Sequence, residues 1–197
     1  MNPRALLDPK ARLYHVTDVA SWPLIQRHGL LSAARLVTLF GADPEFLARN
    51  RDSYVTLDHP EHGRATLRRQ WLREGPLKPR LADGVTCEEY RRFINAHVYF
   101  WPRLGRAEAL NRFESGRAQI MLSLPVEAIL RLGVTLLASP INAGGVFDRQ
   151  KPALARRRHP GLYQPLASMT EPVKELAVLD GLPPGLDWRV EAGQSAT

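Results

Sequence analysis

Residues 13–32 constrain the fold more than any other stretch. Leu13-Tyr14-His15-Val16-Thr17 is a short apolar run interrupted by one histidine. Ser21 then offers an N-cap, Pro23 suits a first helical turn, and Gly29 suits a left-handed helix stop. Trp22, Ile25 and Leu30 or Leu31 supply an apolar stripe at helical spacing. The pattern predicts strand, turn, helix and glycine, with His15 and Thr17 near the strand's end. From the pattern alone, His15 reads either as a packed core residue or as a functional one.

The remaining chain predicts short elements of both kinds. Helices are expected over Ala33–Phe40, from Asp43-Pro44 to Asn50, over Gly63–Leu72, from Thr86 to about Asn95, over Gly105–Glu114 and over Pro125–Arg131. The Thr86-Cys87-Glu88-Glu89 run has the spacing of a capping box. Strands are expected at Ser53–Leu57, His97–Trp101, Ala118–Leu124, Val134–Ala138 and Val173–Leu179. Such irregular alternation predicts an α+β chain with a mostly antiparallel or mixed sheet. At 197 residues, with 44% hydrophobic residues, one domain over 1–197 is the expectation.

Several chemistries are absent from the sequence. There is no Gly-rich phosphate loop and no Gly-x-Ser-x-Gly elbow. Cys87 is the only cysteine, so no internal disulfide is possible, and a reducing cytoplasm is expected. No apolar run reaches the roughly 18 residues of a membrane span. His59-Pro60-Glu61-His62-Gly63 has two histidines three apart but no third ligand placed nearby, so no metal is expected and a turn before a helix is the reading.

The net charge is +7, and only Lys10, Lys78, Lys151 and Lys174 are lysines. Excess cation favours polyanionic partners; it equally fits an arginine-rich composition with no such partner. On the expected helix 63–72, Arg64 and Arg68, and Arg69 and Arg73, are four apart and would form two basic ridges, the best candidate for a phosphate-backbone surface. Residues 139–170 lack periodicity and carry Arg149, Lys151, Arg156, Arg157 and Arg158. So long a loop is usually functional or mobile, and this one would suit a polyanion. Arg49 and Arg51 suit a diphosphate, because the guanidinium fork matches phosphate oxygens. Glu175 shares a strand face with Val173, Ala177 and Leu179. It is either an edge-strand carboxylate reaching water or one held in a cleft.

Three stretches in order resemble the ADP-ribosyltransferase fold: the His15-x-Thr17 strand with its helix and His28-Gly29-Leu30-Leu31-Ser32 ending; Val98-Tyr99-Phe100-Trp101-Pro102; and Lys174-Glu175-Leu176-Ala177-Val178. The resemblance spans roughly residues 12–180. It is nearest to bacterial DNA ADP-ribosyltransferase toxins of the DarT type and to an uncharacterised bacterial family related to them. It implies a split pair of small mixed or antiparallel sheets flanked by short helices, with NAD bound between them as co-substrate. It implies that Glu175 steadies the cationic transition state and that His15 contacts the adenosine ribose. Val16 and Thr17 would lie along the NAD groove, and Tyr99 or Phe100 would stack on nicotinamide. Arg51, with Arg49 as substitute, would hold the cofactor's phosphates. The resemblance implies NAD-dependent ADP-ribosyl transfer by a cytoplasmic toxin or defence enzyme, with an antitoxin or antagonist protein as a further partner. It does not carry over the acceptor, which can be DNA, RNA or protein; the basic loop and the Arg64–Arg73 stretch favour DNA or RNA. Two alternatives remain. One is an RNA 2′-phosphotransferase-like enzyme. The other is a non-catalytic module binding nucleic acid through Arg64, Arg68, Arg69 and the loop 149–158.

Overall fold

The computed structural model describes residues 1–113, 117–144 and 156–194. The elements in chain order are β1 (Arg12–Asp18), α1 (Trp22–His28), β2 (Leu30–Leu31), α2 (Ala33–Leu39), β3 (Val55–His59) and β4 (Gly63–Leu67). Then come α3 (Glu74–Leu77), α4 (Cys87–Asn95), β5 (His97–Phe100), α5 (Leu104–Phe113), β6 (Gln119–Pro125) and α6 (Val126–Leu130). The last are β7 (Leu136–Ser139), β8 (Gln164–Pro165), β9 (Glu175–Leu179), β10 (Gly181–Leu182) and β11 (Arg189–Gln194). The class is α+β, with small antiparallel sheets and short helices.

Two sheets carry the architecture. One has the order β1-β6-β11 and the other β5-β9-β7-β8. They meet at a single rung, where Tyr14 and Trp101 exchange backbone hydrogen bonds of 2.9 and 2.8 Å. The largest apolar cluster lies beneath this junction and draws on both sheets: Leu13, Leu122 and Leu124 from the first, Val98, Phe100, Leu136, Leu176 and Val178 from the second. Burying side chains of this size contributes roughly 1.5–3 kcal/mol each. Their clustering at the junction is what holds two small sheets in one body.

The opening unit forms as its punctuation predicts, with one change of partner. Ser21 makes no capping bond to α1; Asp18 instead caps the 3₁₀ turn Val19–Ser21 that leads into it, accepting from Ala20 N–H at 3.0 Å. Gly29 closes α1 at φ 86° and lies against Leu182 and Pro183, so a Cβ there would stand 2.7 Å from the Pro183 carbonyl carbon. That close approach lets β2 pair with β10. The capping box of α4 is complete: Thr86 Oγ1 accepts from Glu89 N–H at 3.1 Å, and Glu89 Oε2 accepts from Thr86 N–H at 2.8 Å.

The expected helix over 63–72 does not exist. Gly63–Leu67 is β4, paired antiparallel with β3. Ala65 and Leu67 are buried while Arg64 is exposed, a period of two that places both apolar residues on α1 and α2 through Leu24, Val37 and Phe40. The arginines four apart therefore form no helical ridges. The expected helix from Asp43 is only a 3₁₀ turn, Pro44–Leu47, and the following strand begins at Val55 rather than Ser53. The expected loop 139–170 holds β8 and two short 3₁₀ turns. Its residues 145–155, with Arg149 and Lys151, lie outside the described residues. The edge strand β11, past the last expected strand, completes the first sheet beside β6.

Among the described residues, no helix is long and apolar enough to cross a membrane.

Candidate functional site

The two sheets part just beyond the Tyr14–Trp101 rung, and the cleft opens there. An antiparallel ladder continued from that rung would next join Val16 to Tyr99. Instead the Tyr99 carbonyl accepts from His15 Nδ1–H at 2.9 Å. The imidazole thus replaces a backbone amide at the point of divergence. This bond fixes the tautomer and leaves Nε2 as an acceptor. Burial lowers the His15 pKa to about 4, so the ring is neutral at pH 7. A neutral Nε2 accepts a proton from a hydroxyl; an imidazolium could not.

The cleft has a volume of about 480 Å³, within the range usual for small-molecule sites. His15, Val16, Thr17, Arg51, Arg68, Arg69, Tyr99 and Glu175 all line it. Residues separated by up to 160 positions in the chain therefore converge on one concavity.

Glu175 sits on β9, which lies between β5 and β7 and is not an edge strand. It is 3% exposed. Its Oε2 accepts from the Ala143 N–H at 2.7 Å and from the Tyr163 hydroxyl at 2.9 Å. Burial raises its pKa to about 7, against the opposing pull of those two donors and of the Arg158 charge. A carboxylate with two donors on one oxygen keeps the other oxygen for a ligand. The neighbouring Tyr99 and Tyr163 hydroxyls are driven well above their ordinary pKa, first by burial and then by the Glu175 charge, so they stay protonated.

Beyond His15 the wall becomes cationic and aromatic. Arg68 donates to Gln119 Oε1 at 3.0 Å, and Arg117 pairs with Asp18 at the end of β1. The Arg69 guanidinium lies 4.3 Å over the Trp71 ring and 5.9 Å from that of Tyr54; Arg117 lies 4.2 Å from the Tyr54 ring. All of these residues line the cleft, and Trp71 is 37% exposed. Guanidinium planes held against aromatic rings suit phosphate and nucleobase recognition. The sequence does not single out Tyr54, Trp71 and Arg117. Its available signal was the Arg68-Arg69-Gln70-Trp71 run, where an aromatic residue adjoins arginines.

Other expected residues lie elsewhere or are otherwise engaged. Phe100 alternates away from Tyr99 into the core and is fully buried, so it cannot stack on a ligand. Arg49 is on the surface, paired with Asp43 at 2.8 Å and outside the cleft wall. Arg51 lines the cleft, but its guanidinium donates to the Arg68 and Phe46 carbonyls and to Asn95 Oδ1, at 3.1, 2.5 and 2.9 Å. All three contacts are framework bonds, so Arg51 serves as a strut; Arg68, Arg69 and Arg117 line the cleft as well, Arg117 held by Asp18. Of the expected nucleic-acid surface, Arg64 is paired with Asp58, Arg156 with Glu171 and Arg157 with Asp83. Arg158 is buried and faces carbonyls rather than solvent.

His28 at the end of α1 joins the two histidines of the β3–β4 turn. Ring centroids are 5.0 Å apart for His28 and His62, and 4.4 Å for His59 and His62. His59 Nδ1 already accepts from the Glu61 and His62 amides. Among the described residues, no group of three His, Cys, Asp or Glu side chains could hold a metal ion.

Residues 11–183 match DUF7002, a family of unknown function, and the chain belongs to that family. No curated protein and no solved structure matches the chain.

Proposed function

We propose that the cleft binds NAD and that the protein transfers ADP-ribose from it to a nucleic acid. The observation that carries this reading is the pairing, in one cleft, of a buried, doubly clamped Glu175 with a neutral His15 acceptor. Breaking the nicotinamide–ribose bond sends its electron pair to nicotinamide and leaves positive charge on the ribose. A carboxylate already fixed in a low-dielectric wall stabilises that charge without reorganising at the moment of reaction. Its accessible oxygen also accepts from a ribose hydroxyl, while His15 Nε2 accepts from a hydroxyl further along the ligand. Arg68, Arg69 and Arg117 hold phosphate oxygens. The acceptor's nucleophilic atom then bonds to the ribose carbon, and its proton leaves to Glu175 or solvent. The partly exposed Trp71, stacked with Arg69, supplies a surface for an unpaired base of the acceptor.

Incubation with radiolabelled NAD and single-stranded DNA or RNA oligonucleotides tests this reading. Label is expected on the oligonucleotide, and Glu175→Ala abolishes it. Labelling that survives Glu175→Ala removes Glu175 from the chemistry.

A second reading gains from the three cleft arginines beside His15. In an RNA 2′-phosphotransferase, NAD would accept a phosphoryl group from RNA, and such a site needs clustered cations. Loss of the 2′-phosphate from a 2′-phosphorylated RNA, with no label left on that RNA, would favour it. The binding-only reading gains less, because Arg64, Arg156 and Arg157 lie outside the cleft as well as being paired with acids.

A further inference from the structure

We propose that Arg158 and Tyr163 are positioning residues for the Glu175 carboxylate, acting from behind the cleft wall. This deepens the reading above and rests on Glu175 being the acting carboxylate. Neither residue lines the cleft. Each reaches the carboxylate instead, one through a loop and one directly.

The loop after β7 supplies the Ala143 amide that holds Glu175 Oε2. A short loop does not fix a single N–H direction by itself. Here Arg158 Nη1 donates to the Asn142 carbonyl at 2.7 Å and to the Ala143 carbonyl at 3.2 Å. Asn142 Oδ1 accepts from Gly144 N–H at 2.9 Å on the far side of the turn. With the carbonyls held by the guanidinium, the Ala143 N–H is turned the other way, onto the carboxylate.

Arg158 is itself fixed by its backbone. Its N–H donates to the Arg80 carbonyl at 2.7 Å, and its carbonyl accepts from Ala82 N–H at 3.0 Å. Its Nη1 also reaches Tyr90 Oη at 3.3 Å, from the buried face of α4. A residue 7% exposed, with Nη1 on two carbonyls and the Tyr90 hydroxyl, is poorly explained by contact with a polyanion. It is well explained as a tie between the 80–82 segment, α4 and the Glu175 loop. Five residues further on, Tyr163 delivers the second donor directly. It packs its ring against Phe93 and Tyr99, with centroids at 5.2 and 6.0 Å. Residues 156–163 thus govern both described hydrogen bonds to the carboxylate.

The groups facing Glu175 are Tyr90 from α4, Tyr99 from β5, Tyr163, and the Arg158 cation. The Tyr163 bond and the Arg158 charge both favour the ionised acid, so removing either raises its pKa further above about 7.

The test uses Tyr163→Phe and Arg158→Lys in the full chain, with two readouts. The first is the rate of nicotinamide release from NAD between pH 5.5 and 9. The acid limb is expected to move up by about one pH unit in Tyr163→Phe, so that the rate falls about tenfold at pH 6 and much less at pH 9. Arg158→Lys keeps the charge but loses the fork, and is expected to lower the rate with a smaller limb shift. The second readout needs no activity: carboxyl ¹³C NMR titration of Glu175, assigned by its loss in Glu175→Gln. Its midpoint is expected to rise in Tyr163→Phe. A midpoint equal to wild type in the folded variant overturns the inference, as does an unmoved limb with rates lowered equally at every pH. If wild type releases no nicotinamide yet the Glu175 midpoint still moves in Tyr163→Phe, the positioning role stands and the NAD reading fails.

Discussion

Replacing Glu175 by Gln tests the buried carboxylate through stability alone. Gln has nearly the same shape as the protonated acid and keeps an oxygen for the Ala143 and Tyr163 donors, but it cannot ionise. In the folded chain the acid's pKa is about 7, against 4.5 when unperturbed. The folded state therefore binds more protons than the unfolded state between these values, and wild-type stability falls as pH rises through that window. Below pH 4.5 the acid is protonated in both states and contributes no penalty. Above pH 7 the penalty is complete. The rise from 4.5 to about 7 corresponds to about 3 kcal/mol, an upper value because the ionised side chain can relax toward solvent. Urea unfolding of both proteins at half-unit steps from pH 4.5 to 8, followed by tryptophan fluorescence, reads the difference. Glu175→Gln is expected to gain on wild type steadily from pH 4.5 to 7 and then hold a plateau of 1–3 kcal/mol. Subtracting the curves cancels every titrating group that does not interact with Glu175. A flat difference, or one in which wild type gains with rising pH, would show an ordinary or ion-paired carboxylate and refute the reasoning.

Three further outcomes follow from the same structure. NAD carries a cationic nicotinamide ring, so binding beside Glu175 at pH 7 is expected to release up to about half a proton, seen as a buffer-dependent enthalpy in calorimetry, and Glu175→Gln removes that dependence. His15→Ala leaves the Tyr99 carbonyl without its donor, so a loss of about 1–3 kcal/mol in urea unfolding is expected together with weaker NAD binding; unchanged stability would deny its place between the sheets. Gly29→Ala drives a Cβ into the Leu182–Pro183 backbone, whereas Gly41→Ala meets nothing within 4 Å, so the first is expected to lower the melting temperature far more than the second although both glycines have positive φ.

What the sequence made legible was local. The strand–helix–glycine unit at 12–29 and the capped helix α4 are written in neighbouring residues, and both form. The β4 strand was hidden because arginines four apart imitate a helical face, while only Ala65 and Leu67 record the period of two. The two readings left open for Glu175 were separated by strand order, since an internal glutamate reaches water on an edge strand but not between β5 and β7. The polyanion role expected of Arg158 failed for the same reason. Its burial depends on the 80–82 segment and α4, which lie some 70 residues away in sequence. His15 is the intermediate case: its type and its strand were visible, but the bond to Tyr99 exists only because the two sheets part at that rung.

The central claim is that Glu175 acts on NAD held in this cleft. Its most direct test measures the NAD dissociation constant and the rate of nicotinamide release for wild type and Glu175→Gln at pH 8. Loss of transition-state stabilisation predicts a release rate at least about 100-fold lower in the variant, with NAD affinity changed only a few-fold. Equal release rates in the two proteins, or no NAD binding by either, would contradict the account.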